Sequence, residues 1–208
     1  MLQHPDYAQN PLNERIARFH QLSFPLAKQR KVNVTFHTTG ALATAAFLSS
    51  TQTRAASGGI APRHSLLIAV IGFVAGVVEH GIMDYVPHSY PIPSGMDVVV
   101  SIMLFVVAVA QTKPQFRVLV TACFIGSVFP DLVDLGPSII NRHLGWTLPT
   151  VRIFPWHWPQ YSGSLYHGAK RFQSYVSHGV VIGFCVSLCW FYRRSLFSSA
   201  SERTRLGE

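Results

Sequence analysis

Residues 78–88 read VEHGIMDYVPH and end an apolar run that begins at Ser65. This run has the length and composition of a membrane helix, and Pro87 stops it because the residue before a proline is pushed out of the α region. Residues four apart share one face of an α-helix, so His80 and Asp84 are predicted to lie side by side. Such a pair can bind one metal ion or transfer a proton. Ionisable groups are costly in an apolar helix and therefore indicate a functional site.

The composition is typical of a membrane protein. Hydrophobic residues make up 49% of the 208-residue chain and charged residues only 12%, about half of the roughly 25% usual in soluble domains. The 17 Lys and Arg outnumber the 9 Asp and Glu, but the basic residues are scattered and form no stripe with aromatics, which argues against a nucleic-acid partner. The 3 cysteines lie within apolar runs, so they indicate buried side chains and not a disulfide framework.

Five apolar segments predict an all-α, polytopic integral membrane protein with about five transmembrane helices. The segments lie at about 34–50, 65–86, 96–112, 116–133 and 174–192. Between the last two, the aromatic-rich segment Leu135–Gln173 is predicted to form an interfacial lid, because Trp and Tyr sit well at the headgroup level. The chain then divides into a polar N-terminal arm (1–33), a transmembrane helical domain (34–192) and a basic polar C-terminal tail (193–208).

Acidic residues between positions 15 and 201 are predicted to fall on one side of the bundle. If the spans alternate in direction, this side holds the starts of the first, third and fifth spans and the ends of the second and fourth. The polar residues at this level are Glu79, Asp84, Asp97, Asp131, Asp134, His37, His80 and His178. We expect Asp97, at a helix start, to act as a helix cap. The segregation predicts one polar pocket at one membrane face.

The residue types in this pocket suit a divalent metal ion. Imidazole nitrogen and carboxylate oxygen together favour zinc, with manganese or iron as alternatives. The predicted ligands are His37, His80, Asp84, Asp131 and His178. Glu79 and Asp134 are the candidates for catalytic assistance; Glu79 points about 100° away from His80 on the helix and is better placed behind the ligands or as a base. One ion fits this set, and so do two ions about 3.5–4 Å apart, which would suit phosphate-ester hydrolysis.

Three motifs resemble those of the membrane-bound metal-dependent hydrolases, small bacterial inner-membrane proteins that are distantly similar to zinc-dependent phospholipase C. The matching residues are His37, Pro130-Asp131-Leu132-Val133-Asp134 and Ser177-His178-Gly179. His80 and Asp84 are similar to the His-x-x-x-Asp metal element of the phospholipase C and P1 nuclease group. Where that family has a His-Arg pair before the last helix, this chain has Gln173-Ser174. His157 or His167 would then be the replacement.

The resemblance implies a membrane-embedded hydrolase that acts on a phospholipid-like or other ester substrate. Membrane lipids would surround it, in a bacterial or mitochondrial inner membrane. One alternative is an accessory structural subunit of a larger membrane complex, for example a respiratory one, with partner subunits and a vestigial or structural metal site. Another is a b-type haem held between paired histidines. Haem does not need carboxylates, so their segregation argues against it.

Overall fold

The computed structural model describes residues 34–57, 65–87, 93–158, 160–163 and 171–198. All regular elements in these ranges are helical, which confirms the all-α prediction. The helices are α1 (Val34–Ser57), α2 (Ser65–Tyr85), α3 (Ser94–Gln111), α4 (Arg117–Asp134), α5 (Gly136–Leu144) and α6 (Arg171–Leu196), with 3-10 turns at Pro114–Phe116 and Pro155–His157. The predicted arm 1–33 and positions 199–208 of the predicted tail lie outside the described residues.

Three helical stretches of the described chain are long and apolar enough to cross a membrane. They are Ser65–Tyr85, Pro114–Asp134 and Phe172–Leu196. The predicted arrangement of five spans is therefore not confirmed. Ser and Thr lower the hydropathy of α1. Their hydroxyls can still be satisfied within the helix, because a hydroxyl such as that of Thr38 donates to the backbone carbonyl one turn earlier. The apolar part of α3, Gly95–Gln111, is shorter than a span.

Two stripes on α2 face different surroundings. The exposed stripe consists of Leu66, Val70, Val74, Val78 and Ile82. The buried stripe consists of Gly72, Gly76, His80 and Asp84. Each recurs every four residues and therefore follows one face of the helix. The apolar face suits contact with lipid tails, while the other face carries the polar pair into the protein.

Glycines bring the backbones of α2 and α4 into contact. A Cβ on Gly76 would lie 2.2 Å from the carbonyl oxygen of Cys123, and one on Gly126 would lie 2.1 Å from a carbonyl oxygen of α2. Backbones approach this closely only where side chains are absent, which is the small-residue packing common between membrane helices. Just beyond this contact, α2 carries His80 and α4 carries Asp131. The glycines thereby set the distance between two halves of the polar pocket.

A carboxylate from α3 fixes the start of α1. Asp97 accepts hydrogen bonds from the backbone N–H groups of Val34, at 2.5 Å, and Thr35, at 3.4 Å. Asp97 lies in the first turn of α3, where a carboxylate interacts favourably with the helix dipole. Its side chain also caps the start of α1, because the orphan N–H groups of α1 lie within its reach. The capped turn of α1 is the one that carries His37.

The segment predicted as an interfacial lid folds against the end of α2. It starts with α5 and continues without regular secondary structure to the 3-10 turn Pro155–His157. Trp156 lies so close to Gly81 that a Cβ there would be 2.9 Å from the indole ring. The backbone N–H of Gly163 donates to the carbonyl oxygen of Asp84 at 2.7 Å. These contacts hold the 3-10 turn over the polar stripe of α2.

Candidate metal centre

Two overlapping groups of side chains within the described ranges could hold a metal ion. The first group is His37, His80 and Asp84, and the second is His80, Asp131 and His157. The structure therefore brings together four of the five predicted ligands, from α1, α2 and α4. The fifth member, His157, comes from the lid.

Distances between neighbouring polar atoms fit those within a metal coordination shell. Asp84 lies 3.4 Å from His37 Nε2 through Oδ1 and 3.5 Å from His80 Nε2 through Oδ2. His157 Nε2 lies 3.2 Å from Asp84 Oδ2 and 3.3 Å from Asp131 Oδ1, and His80 Nε2 is 4.0 Å from Asp131 Oδ1. Ligand atoms bound at about 2.0–2.2 Å to one ion lie about 3.0–4.2 Å from one another. The separations observed fall in that range.

The tautomers of two histidines in the cluster require a cation between their rings. His80 donates from Nδ1 to the backbone carbonyl oxygen of Ser127, and His157 donates from Nδ1 to Asp134 Oδ2 at 2.8 Å. A neutral ring that donates from Nδ1 carries its lone pair on Nε2. The two Nε2 atoms face each other at 3.2 Å. Two lone pairs at that distance repel, so a proton or a metal ion must lie between them.

The two ligand groups overlap at His80. Its Nε2 atom faces Asp84 in the first group and Asp131 in the second, and a ring nitrogen offers one lone pair to one ion. The Nδ1 atom of His80 is already engaged with Ser127. His80 can therefore bind an ion in one of the two groups at a time.

The site is largely closed to solvent. The side chain of His80 is fully buried, whereas that of Asp131 is 18% exposed. Burial lowers the pKa of His157, but hydrogen bonds to Asp131, Asp84 and Asp134 raise it, to about 10. The imidazole of His157 is therefore protonated at neutral pH when no metal is bound, and a metal ion would displace that proton.

Both candidates for catalytic assistance lie behind the ligands. Asp134 is buried; besides His157, it accepts hydrogen bonds from the backbone N–H groups of Ile153, at 2.8 Å, and Phe154, at 3.0 Å. Glu79 accepts a hydrogen bond from Ser127 Oγ at 2.8 Å. Neither carboxylate belongs to the two ligand groups. Their predicted catalytic roles stay predictions, and the structure gives each of them a supporting contact.

His178 lies outside both ligand groups. Its Nδ1 atom is 2.8 Å from the backbone oxygen of Ser174, and its ring packs on that of Phe36 with centroids 4.8 Å apart. Its assignment as a ligand stays a prediction. His157, considered from the sequence only as a replacement for a missing His-Arg pair, supplies the third imidazole. The other replacement considered, His167, lies outside the described residues.

Comparison with known proteins gives this site no precedent. No protein-family model, curated protein or solved structure matches the chain. The resemblance to membrane-bound metal-dependent hydrolases therefore stays a prediction.

Proposed function

We propose that this protein is a membrane-embedded hydrolase that uses one divalent metal ion, zinc in the first place, with manganese or iron as alternatives. The proposed ligands are His37, His80, Asp84, Asp131 and His157. One observation carries the proposal: three imidazoles and two carboxylates form two overlapping groups of potential ligands that share His80. Imidazole suits these metals, and the two carboxylates balance the charge of a divalent ion in a buried site.

A divalent ion here would supply a nucleophile from water near neutral pH and polarise an ester oxygen. Among the proposed ligands, Asp131 has the most exposed side chain, 18% against 9% for Asp84. Substrate therefore approaches from the side of Asp131. A carboxylate that binds through one oxygen keeps the other to accept a proton. Asp131 takes that role in the proposal, while Asp134 orients His157.

The surroundings of the site support a substrate that resides in the membrane. The lid that carries His157 exposes the large side chains of Trp146, Ile153, Trp158 and Tyr161. Aromatic side chains of this kind favour the headgroup level of a bilayer. A phospholipid-like ester would present its ester bonds at that depth. The proposal includes α1 and α3 as further spans, which would place all ligand-bearing helix ends at one membrane face.

Metal content is the first test of the proposal. The full-length chain, purified in detergent, would be compared by plasma mass spectrometry with a His80→Ala/Asp84→Ala double variant. His143→Ala is the matched control, since this exposed histidine lies outside both ligand groups. We expect about one ion per chain in the wild type and the control, and none in the double variant. A folded wild type without any transition metal overturns the proposal.

Hydrolysis is the second test. The metal-loaded protein would be assayed with phospholipids and with nitrophenyl esters of carboxylic and phosphoric acids. We expect turnover by the wild type and by His143→Ala, and none by the His80→Ala/Asp84→Ala variant. A loaded wild type that cleaves none of these esters contradicts the hydrolase assignment while leaving the metal site in place.

The burial of the cluster favours a second candidate function. Closed sites in which protein side chains fill the coordination shell are typical of structural metal ions, and His80 is fully buried here. The protein would then be an accessory subunit whose ion holds the helices together. If the protein is such a subunit, we expect it not to hydrolyse esters. We also expect it to form a defined complex with partner subunits on native electrophoresis in mild detergent.

A further inference from the structure

Glu79 is a buried carboxylate that the proposed reaction does not use. Its Oε2 atom accepts a hydrogen bond from Ser127 Oγ at 2.8 Å. Its Oε1 atom is buried and has no hydrogen-bond partner in the described part of the chain. A buried carboxylate oxygen without a partner is costly. The burial of this oxygen therefore suggests that it accepts a further hydrogen bond.

A second buried atom nearby also lacks a partner among the described residues: Nδ1 of His37. His37 faces Asp84 through Nε2, so Nδ1 carries the N–H when Nε2 binds a metal ion. The other two imidazoles of the cluster both have an acceptor for this N–H. His80 donates to Ser127 and His157 donates to Asp134. His37 is the one proposed imidazole ligand without such an acceptor in the described structure.

Three observations place Glu79 beside His37. A Cβ on Gly40 would lie 1.9 Å from Glu79 Oε1, so this oxygen occupies the space that a side chain at position 40 would fill. His37 and Gly40 are three residues apart and share one face of α1. The hydroxyl of Ser127, which donates to Glu79, also lies 3.2 Å from the backbone oxygen of His37. Glu79 Oε1 therefore lies against the face of α1 that carries His37.

We propose that Glu79 is the positioning residue for His37, and that its Oε1 atom accepts the hydrogen bond of His37 Nδ1 through one bound water. A water is the appropriate bridge, because no direct hydrogen bond joins the two atoms and both need a partner. All three imidazoles then have an acceptor at Nδ1, which fixes the lone pair on Nε2 and makes the ring a better ligand. The inference rests on the proposed metal site and deepens it.

Room for this carboxylate depends on a glycine in α1. The Cβ of an alanine at position 40 would collide with Glu79 Oε1 and also lie 2.7 Å from the sulfur of Met83. Gly183 in α6 offers a matched control, because a Cβ there would meet nothing within 4 Å. Gly40→Ala therefore displaces the carboxylate without removing it.

A double-mutant cycle on zinc affinity tests the inference. Zinc would be titrated into the full-length chain in detergent, in competition with a chromogenic chelator. Glu79→Gln keeps the size of the side chain and removes its charge, and we expect zinc to bind about 10-fold more weakly. Since Glu79 acts through His37, the Glu79→Gln/His37→Ala variant should bind no more weakly than His37→Ala alone. In the comparison pair, Glu79→Gln with His157→Ala, the two losses should multiply.

The visible absorption of bound cobalt gives a second readout, which a general loss of stability would not change. We expect Glu79→Gln to shift the cobalt spectrum of the wild type and to leave that of His37→Ala unchanged. Gly40→Ala should reproduce the shift, and Gly183→Ala should not.

Outcomes of these experiments separate the inference from the proposed function. If the losses multiply in the His37 pair as they do in the His157 pair, the inference is overturned and the metal site stands. If the folded wild type binds neither zinc nor cobalt, both are overturned. Circular dichroism checks that each variant is helical. Should Glu79→Gln not fold, Gly40→Ala replaces it in the same cycle with His37→Ala.

Discussion

The imidazole of His157 enters the cluster from a loop, and no helical spacing links it to His80 or Asp84. In the sequence it stands in the stretch FPWHWP, where aromatic residues indicate an interface more clearly than a ligand. Asp134 explains its position. This carboxylate accepts from the backbone of Ile153 and Phe154 and from His157 Nδ1, so it fixes both the path of the loop and the tautomer of the ring.

Replacing Asp134 by Asn tests that explanation. We expect Asp134→Asn to weaken zinc binding by about 10–100-fold, because His157 loses its charged acceptor. Asn141→Ala is the matched control. The Asn141 side chain also bonds the lid backbone, at Leu148, but touches no ligand. Zinc affinity would be measured by chelator competition. Equal losses in both variants would show that Asp134 acts only by stabilising the lid.

Within α2, the spacing of small residues matters as much as the ligands. Gly72 and Gly76 precede His80 on the same buried stripe, and they allow the backbone contact with α4. The helix is therefore both a packing surface and a ligand carrier. A change in its distance from α4 would separate His80 from Asp131.

Substitution of Gly76 by Ala should destabilise the fold and the site together. The new Cβ would lie 2.2 Å from the Cys123 carbonyl oxygen, and relief of such a clash costs about 1–3 kcal/mol or more. Gly183→Ala meets nothing within 4 Å and should leave stability unchanged or slightly raised. Thermal unfolding by circular dichroism in detergent, together with zinc content, checks both. A stable, zinc-replete Gly76→Ala would contradict the close helix contact.

Across the whole molecule, the cluster links segments that are far apart along the chain. His37 comes from α1, His80 and Asp84 from α2, Asp131 from α4 and His157 from the lid. A bound ion would therefore cross-link three helices and the lid. Metal binding to the folded state would then be coupled to the stability of the entire fold.

Removal of the metal should lower the thermal stability of the protein. An ion present at about 1,000 times its Kd stabilises the folded state by about 4 kcal/mol, which corresponds to about 10 °C in Tm for a chain of this size. We expect a chelator to lower the Tm of the wild type by that amount and to leave the His80→Ala/Asp84→Ala variant unaffected. An unchanged wild-type Tm after verified metal loss would show that the ion does not hold the helices together.

Local sequence patterns were sufficient to predict much of the helical structure of this protein. Apolar runs predicted the helical class and the approximate bounds of α1 to α4 and α6, because helix formation in apolar surroundings depends on length and hydropathy. The four-residue spacing of His80 and Asp84 predicted their shared face, because helical periodicity is a local property. Alternation of the helices predicted that polar ends meet, and the structure brings His37 and Asp131 to this pair.

Long-range contacts determined the position of the lid and the membership of the ligand groups. The lid reaches the site through bonds such as those from Asp134 to its backbone and from Gly163 to Asp84, and no local propensity encodes them. They add His157 to the ligand groups, which do not include His178. The same packing places one nitrogen of His80 between the two ligand groups. Helical spacing fixes which side chains share a face, whereas packing of distant segments fixes which atoms face one another.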